Sequence, residues 1–112
     1  MEGRISPDLL RGHTDTVILH LLSGRDRYGY ELYKAIIEKT GDQFELKEAT
    51  LYASFKRLEQ EGAIFSYWGD GSQGGRRKYY QITETGRGRL EQNKRDWRFT
   101  AKIISSLLEE EL

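Results

Sequence analysis

The sequence contains no cysteine, and this absence removes several classes of chemistry at once. Without thiols there can be no disulfide, no thiolate nucleophile and no cysteine-based zinc site. The 18 basic side chains (Lys and Arg) are matched by 18 acidic ones, so the formal net charge is zero. A nucleic-acid partner must therefore be argued from local clusters of cations rather than from the overall charge.

Long apolar runs are also missing. No run approaches the ~20 residues that a membrane-spanning helix needs. The first residues, Met1 to Arg4, do not lead into the apolar core of a signal peptide. A chain of 112 residues is one small unit, whose modest core would gain stability from a partner subunit. The sequence thus predicts a soluble, cytoplasmic protein with no membrane partner.

Motifs for catalysis and for cofactors are lacking as well. The sequence has neither a GxxxxGK[ST] loop nor a GxGxxG turn that opens a helix after a strand. His13 and His20 are the only histidines, and no carboxylate shares their helix face, which argues against a metal site. No serine, histidine and acid set has a motif around it. We therefore predict no catalytic residue, no metal and no cofactor in a protein that is not an enzyme.

What the sequence does contain is a helix followed by two strands in its middle. The apolar residues Leu51, Phe55 and Leu58 recur at i, i+4 and i+7 and predict one helix, which Gly62 would end. Two runs of alternating aromatic and β-branched residues follow. They predict two strands, joined by the glycine-rich segment 69–75.

A cluster of cations comes directly after the glycine-rich segment, at Arg76, Arg77 and Lys78. Most charge runs are only solvated, but three adjacent cations at a hairpin tip can also neutralise DNA phosphates, with an affinity that falls as salt rises. A helix that feeds such a hairpin is the winged helix arrangement. In it the helix enters the major groove of DNA and the wing lies against phosphates.

Two further helices are predicted before this region. The first runs from about Leu9 to Gly24, and the second from Tyr28 to about Lys39, after a charged turn at 25–27 and before a stop at Gly41. Two helices, a short connector and a third helix are the order of a helix-turn-helix. The predicted fold class is α+β, mainly helical, with a winged helix-turn-helix and a long C-terminal helix.

The last helix begins after Thr83, which is a candidate N-cap. It is predicted to have about 25 to 28 residues, or ~40 Å. A long apolar seam needs another helix, and the same helix of a second copy is the simplest partner. We therefore predict a homodimer, with a DNA-binding domain at 1–83 and a dimerisation and ligand-binding helix at 84–112. The predicted dimerisation residues are Leu90, Trp97, Ile104 and Leu108.

The middle of the chain also resembles a known family. The patterns ATLYxxFxRLEQEG and YWGDxSQGGRRKYYxIT are similar to those of the PadR family of bacterial transcriptional regulators, in particular to its small subgroup with one long C-terminal helix. The resemblance implies a repressor that binds a palindromic operator on double-stranded DNA through the third helix and the wing. The predicted DNA contacts are Lys47, Thr50, Tyr52, Ser54 and Lys56 on the helix and Gln73, Gly74, Arg76, Arg77 and Lys78 on the wing.

Trp97 is the candidate ligand-binding residue. The residues alone leave two interpretations open, in which its indole fills the dimer core or two copies sandwich a planar compound. A multidrug-responsive member of the subgroup uses a tryptophan at the matching position in the second way, which implies a planar aromatic inducer. Small residues on the first helix suit either packing or a ligand. The predicted ligand site is Leu9, Gly12, Thr16, Trp97 and Ala101.

Two other functions remain open from the sequence. The winged helix could pack on a partner protein, with the long helix forming a coiled coil. The chain could also bind DNA constitutively, with no ligand and with Trp97 as dimer core. Salt-dependent DNA binding would exclude the protein–protein module, and a ligand in the helix interface would exclude the constitutive regulator.

Overall fold

The structure is a computed structural model that describes residues 9, 12–41, 43–44, 46–70 and 75–109. It confirms the predicted class, since helices dominate and a small sheet and a long C-terminal helix accompany them. The elements with described bounds are α1 (Thr14–Gly24), β1 (Arg27–Tyr28), α2 (Gly29–Thr40), α3 (Glu48–Gln60), β2 (Ile64–Asp70), β3 (Arg76–Ile82) and α4 (Glu84–Leu108).

The sheet has the order β1-β3-β2, and both neighbouring pairs are antiparallel. The predicted hairpin pairs over its whole length, from Ile64 with Ile82 to Asp70 with Arg76. The third strand, β1, was missed, because the sequence predicted only a charged turn there. β1 has two residues, which pair with Tyr79 and Tyr80 of β3, and two residues are too few to show a strand period.

Three predicted helix boundaries are confirmed. Gly41 ends α2 with φ 58°, and Gly62 follows α3 with φ 77°, both in the left-handed region that favours glycine. Thr83 caps α4, where its hydroxyl oxygen accepts a hydrogen bond of 3.0 Å from the backbone N–H of Gly86. These ends set the lengths of the helices around the sheet.

The prediction of one continuous first helix is wrong. Leu9 is helical, but Gly12 has φ 90° and forms a turn with His13, and α1 begins only at Thr14. A residue with that φ cannot continue a right-handed helix, and glycine adopts it without the cost of a Cβ. The chain therefore changes direction just before α1, and His13 is carried at the turn.

One hydrophobic core joins all the longer elements. α1 contributes Leu19 and Leu22, and α4 contributes Leu90, which is 2% exposed. Leu90 was predicted as a dimerisation residue, and the structure corrects this, because a side chain buried in its own subunit cannot also cover a partner. The fully buried larger side chains are Phe55, Ile18, Leu19, Leu22, Leu32, Leu51, Leu58, Ile64 and Leu90.

The root of α4 is fixed against the corner between α3 and β2. A Cβ at Gly86 would lie 2.1 Å from the carbonyl oxygen of Ala63, so only glycine allows this approach. The hydroxyl of Thr83 donates to the carbonyl of Gly62 at 2.6 Å, and the N–H of Thr83 donates to that of Ala63 at 3.0 Å. These contacts at the start of α4 set the direction of the long helix. They do not depend on the side chains of its outer half.

Candidate nucleic-acid interface

One side of α3 is open to solvent. Lys47, Thr50 and Lys56 are exposed, and Tyr52 is 41% exposed, as expected for side chains that contact DNA. Ser54 was assigned to the same side, and this is wrong, because its side chain is only 4% exposed. Position 54 lies three residues after Leu51, which places it on the buried stripe of the helix in spite of its polarity.

Arg57, at the other end of α3, is engaged by α1. Its guanidinium donates a hydrogen bond to the carboxylate of Asp15, and this bond raises the pKa of Arg57 above its ordinary value. The next residue of α1, Thr16, accepts a hydrogen bond of 3.0 Å from the side-chain amide of Asn93 on α4. Through the consecutive residues Asp15 and Thr16, α1 is thus bonded to α3 and to α4.

The cations of the wing lie over aromatic rings. The guanidinium of Arg77 is 4.4 Å from the ring centre of Tyr28, and that of Arg76 is 5.4 Å from the ring of Trp68. Such contacts contribute about 0.5–1 kcal/mol at exposed sites and leave the N–H edges free to donate. The two arginines are therefore oriented in advance by β1 and β2. The other predicted wing residues, Gln73 and Gly74, lie outside the described residues.

A cleft of about 620 Å³ separates the wing from the N-terminal half of α3. Burial, and then the nearby charge of Glu48, raise the pKa of the Tyr52 phenol above its ordinary value. Gly29 makes room for that ring, since a Cβ there would lie 2.8 Å from the Tyr52 hydroxyl. The cleft is lined by Tyr28, Gly29, Tyr30, Tyr52, Arg77, Lys78 and Tyr80.

Gly29 and Tyr30 were not among the predicted DNA contacts. Both come from the start of α2, more than twenty positions before Tyr52. A single sequence carries no period or spacing that links the beginning of one helix to the middle of the next. Only the pairing of β1 with β3, which the sequence did not reveal, brings the start of α2 beside the wing.

The outer half of α4 exposes large apolar side chains. Trp97 is 54% exposed, Ile104 is 49% and Leu108 is 80%, and all three were predicted to lie on a dimer seam. The exposed apolar surface is wider than that seam, since it also includes Phe99, Ile103 and Leu107. Exposed apolar side chains in this number are unusual for a monomer and indicate a contact surface.

Trp97, the central predicted ligand residue, lies at a contact between α4 and the turn before α1. The ring of His13 meets Trp97 edge to face, with 5.2 Å between ring centres. Thr16 lies near by through its bond to Asn93, and Ala101 is half-buried. Gly12 and Leu9 are exposed. No sequence pattern links His13 with Trp97, which lie 84 positions apart.

The described part of the chain contains no group of three His, Asp or Glu side chains that could hold a metal ion. None of its helices is long and apolar enough to cross a membrane.

Comparison with known proteins gives one consistent result. The model of the transcriptional regulator PadR-like family matches residues 18–92. A transcriptional regulator from Clostridium thermocellum is 44% identical, with a TM-score of 0.85, over 94% of this chain and 99% of its own. A PadR family transcription regulator from Clostridium difficile is 42% identical, with a TM-score of 0.77, over 87% and 99%. An uncharacterized protein from Lysinibacillus sphaericus is 45% identical over 94% of this chain and 96% of its own.

Proposed function

The chain belongs to the PadR-like family of transcriptional regulators, and from this premise we propose that it represses transcription as a homodimer bound to a palindromic operator. Each α3 would enter a major groove, and each wing would lie on phosphates, in the cytoplasm where the operator is found. The observation that carries this proposal is a single cleft that is lined both by Tyr52 of α3 and by the oriented Arg77 of the wing.

The outer half of α4 supports the dimer. Its apolar side chains are exposed in a single subunit, while the root of the helix is already packed in the subunit's own core through Leu90. In a two-fold dimer, the outer half of α4 of one subunit would pack against the same half of its partner. The exposed apolar side chains of both subunits would then be covered. Each DNA-binding unit would then lie at the inner end of its own α4.

The operator prediction can be tested by selection from a pool of random duplexes. We expect an inverted repeat with half-sites about one helical turn, ~34 Å, apart or a multiple of this, because two copies of α3 read it. Thr50→Ala should change the bases that are enriched at one position of each half-site. Enrichment of a single, unrepeated half-site would contradict the dimeric mode, and the absence of enrichment would contradict operator binding itself.

We also place an inducer between the two α4 helices, as a flat aromatic compound against Trp97. The support is that the indole and the ring of His13 meet in a T-shaped pair, while more than half of the Trp97 side chain is exposed in a single subunit. Position 101 is occupied by Ala101, so no acid faces the site from there, and Lys94 lies one turn before Trp97. Neutral planar compounds should therefore bind at least as well as cationic ones.

Tryptophan emission reports on this site. A planar compound in the interface should quench Trp97 by stacking and leave Trp68, beside Arg76 on the wing, nearly unchanged. Trp68→Phe should keep the full quenching signal. Trp97→Ala should lose the signal and about ten- to hundredfold in affinity, since two stacked rings contribute on the order of 1 to 3 kcal/mol. A titration of each variant with neutral and cationic planar compounds measures this.

The opposite pattern would contradict the inducer site. If quenching persists in Trp97→Ala and disappears in Trp68→Phe, the compound binds on the wing. Sedimentation of Trp97→Ala should accompany the titration, because a variant that has lost its dimer could lose the ligand for that reason alone.

A further inference from the structure

We infer that Asp15 is a positioning residue for operator recognition: through Arg57 it sets the angle of α3, and the next residue, Thr16, connects that angle to α4. This inference rests on the proposed repressor function and deepens it, because it gives α1 a role in how the operator is read and regulated. Asp15 itself would touch neither the DNA nor the inducer.

The C-terminal end of α3 has two attachments. Its last turn continues into Gly62 and Ala63, whose carbonyl groups accept hydrogen bonds from Thr83 at 2.6 Å and 3.0 Å. This end is therefore fixed to the root of α4. One turn earlier, the guanidinium of Arg57 donates a hydrogen bond to the carboxylate of Asp15, which bonds α3 to α1. The first attachment fixes a point of rotation, and the second sets the tilt of α3 about it.

A small tilt of α3 has its largest effect at the other end of the helix. Thr50 lies eleven residues before Glu61, or ~16 Å along the helix axis. A tilt of about 3° would move Thr50 by about 0.9 Å, whereas a binding residue must be placed to within about 0.5 Å. Lysine contacts to phosphates tolerate such a shift, since the ammonium group is a point charge on a flexible stem. A lost tilt should therefore cost sequence preference rather than general DNA affinity.

The start of α1 also contacts α4 at two successive points. Thr16 accepts a hydrogen bond of 3.0 Å from the side-chain amide of Asn93. One turn further along α4, Trp97 meets the ring of His13, with 5.2 Å between ring centres. Asp15 lies between these two contact residues of α1 in the sequence. A displacement of α1 at either contact would therefore also move the carboxylate that holds α3.

The pair of Asp15 and Arg57 is suited to orientation rather than to stability. The Arg57 side chain is 49% exposed and that of Asp15 is 21% exposed. An ion pair of this exposure is worth at most about fivefold in an equilibrium constant. The main hold on α3 is its buried stripe of Leu51, Phe55 and Leu58. Variants that break the pair should therefore keep their fold.

The measurement is the ratio of two affinities, for the duplex recovered by the selection and for a scrambled duplex, by fluorescence anisotropy at one salt concentration. Asp15→Asn removes an acid and Arg57→Gln removes a cation, so charge alone would shift the binding of every duplex in opposite directions. A lost tilt lowers the ratio in both variants. We expect a fall of about fivefold in each and no further fall in the double variant, because both changes break the same bond.

Glu61→Gln is the matched control for Asp15→Asn. It removes the same charge and breaks the ion pair of Glu61 with Arg89, at the end of α3 that the hydrogen bonds of Thr83 already fix. Its ratio should equal that of the wild-type protein. Asp15→Glu, which keeps a carboxylate at position 15, should retain most of the ratio. Circular dichroism should show the wild-type helix content in every variant.

The connection to α4 is tested from its other end. Asn93→Ala removes the amide that donates to Thr16, and it should also lower the ratio. Combined with Asp15→Asn, it should cost less than the product of the two single effects, because both changes interrupt one connection, whereas independent sites add in free energy. Gln92→Ala, which removes an amide that bonds within α4, is the control and should leave the ratio unchanged.

The outcomes separate this inference from the proposed function. A wild-type protein with no preference for the selected duplex would overturn operator binding and this inference together. If the wild-type protein has that preference and Asp15→Asn and Arg57→Gln retain it, the inference alone is wrong. It is also wrong if either variant loses its helix content, since the pair is then needed for the fold, or if Asp15→Asn and Asn93→Ala act independently.

Discussion

A variant with Ile104→Asp and Leu108→Asp is expected to sediment as a monomer. Both side chains lie on the apolar outer half of α4, and they are exposed in the single subunit, so the change should leave the fold of each subunit intact. In the proposed dimer the two aspartates would be buried against a partner. An unpaired buried carboxylate costs on the order of several kcal/mol, and every ~1.4 kcal/mol shifts the dissociation constant tenfold.

The control for this variant is Lys102→Glu, which causes the same change in net charge on the polar side of the same helix. It should sediment as the dimer. Circular dichroism of both variants should match that of the wild-type protein. An unchanged dimer for the double aspartate variant would place the interface elsewhere, and so would a wild-type protein that is monomeric at micromolar concentration.

Loss of the two wing arginines should have the second large effect. Arg76→Ala with Arg77→Ala should weaken binding to all duplexes by at least about a hundredfold, since hydrogen bonds to charged groups contribute about 1.5–3 kcal/mol each. The plot of log affinity against log salt should become flatter by about one unit for each lost phosphate contact. Aromatic rings orient both arginines. Rearrangement of the rest of the wing should therefore recover little of the affinity that the variant loses.

Lys39→Ala with Arg87→Ala is the control for the wing variant, because it removes the same charge from exposed positions at the end of α2 and the start of α4. Its salt slope should equal that of the wild-type protein. If the wing variant keeps its slope and loses its preference between sequences, the wing reads bases and the roles of wing and helix are reversed.

Strong periods made much of the fold predictable from the sequence. Leu51, Phe55 and Leu58 lie at helical spacing, and all three are buried. Ile82 and Tyr80 alternate with exposed or half-buried neighbours along β3, as a strand with one covered face requires. The wing cations were predictable as well, since their position depended only on local sequence after a glycine-rich segment.

The errors arose where one pattern fits two environments. Leu90 falls on the same heptad positions as Trp97 and Ile104, but the root of α4 packs on its own subunit and the outer half does not. Ser54 is polar, yet the geometry of α3 places it on the buried side. The left-handed turn at Gly12 depends on a backbone angle that the residue type permits and does not require.

In the proposed dimer, the fixed root of α4 would make each subunit a lever whose pivot is the contact between the two α4 helices. Gly86 and Thr83 lock the DNA-binding unit to the inner end of the helix, and Trp97 lies about 20 Å further along it. A rotation of about 10° at Trp97 would swing that unit by about 3.5 Å, close to the ~3.4 Å rise of one base pair. A compound as thin as one aromatic ring could thus put both recognition helices out of step with a fixed operator.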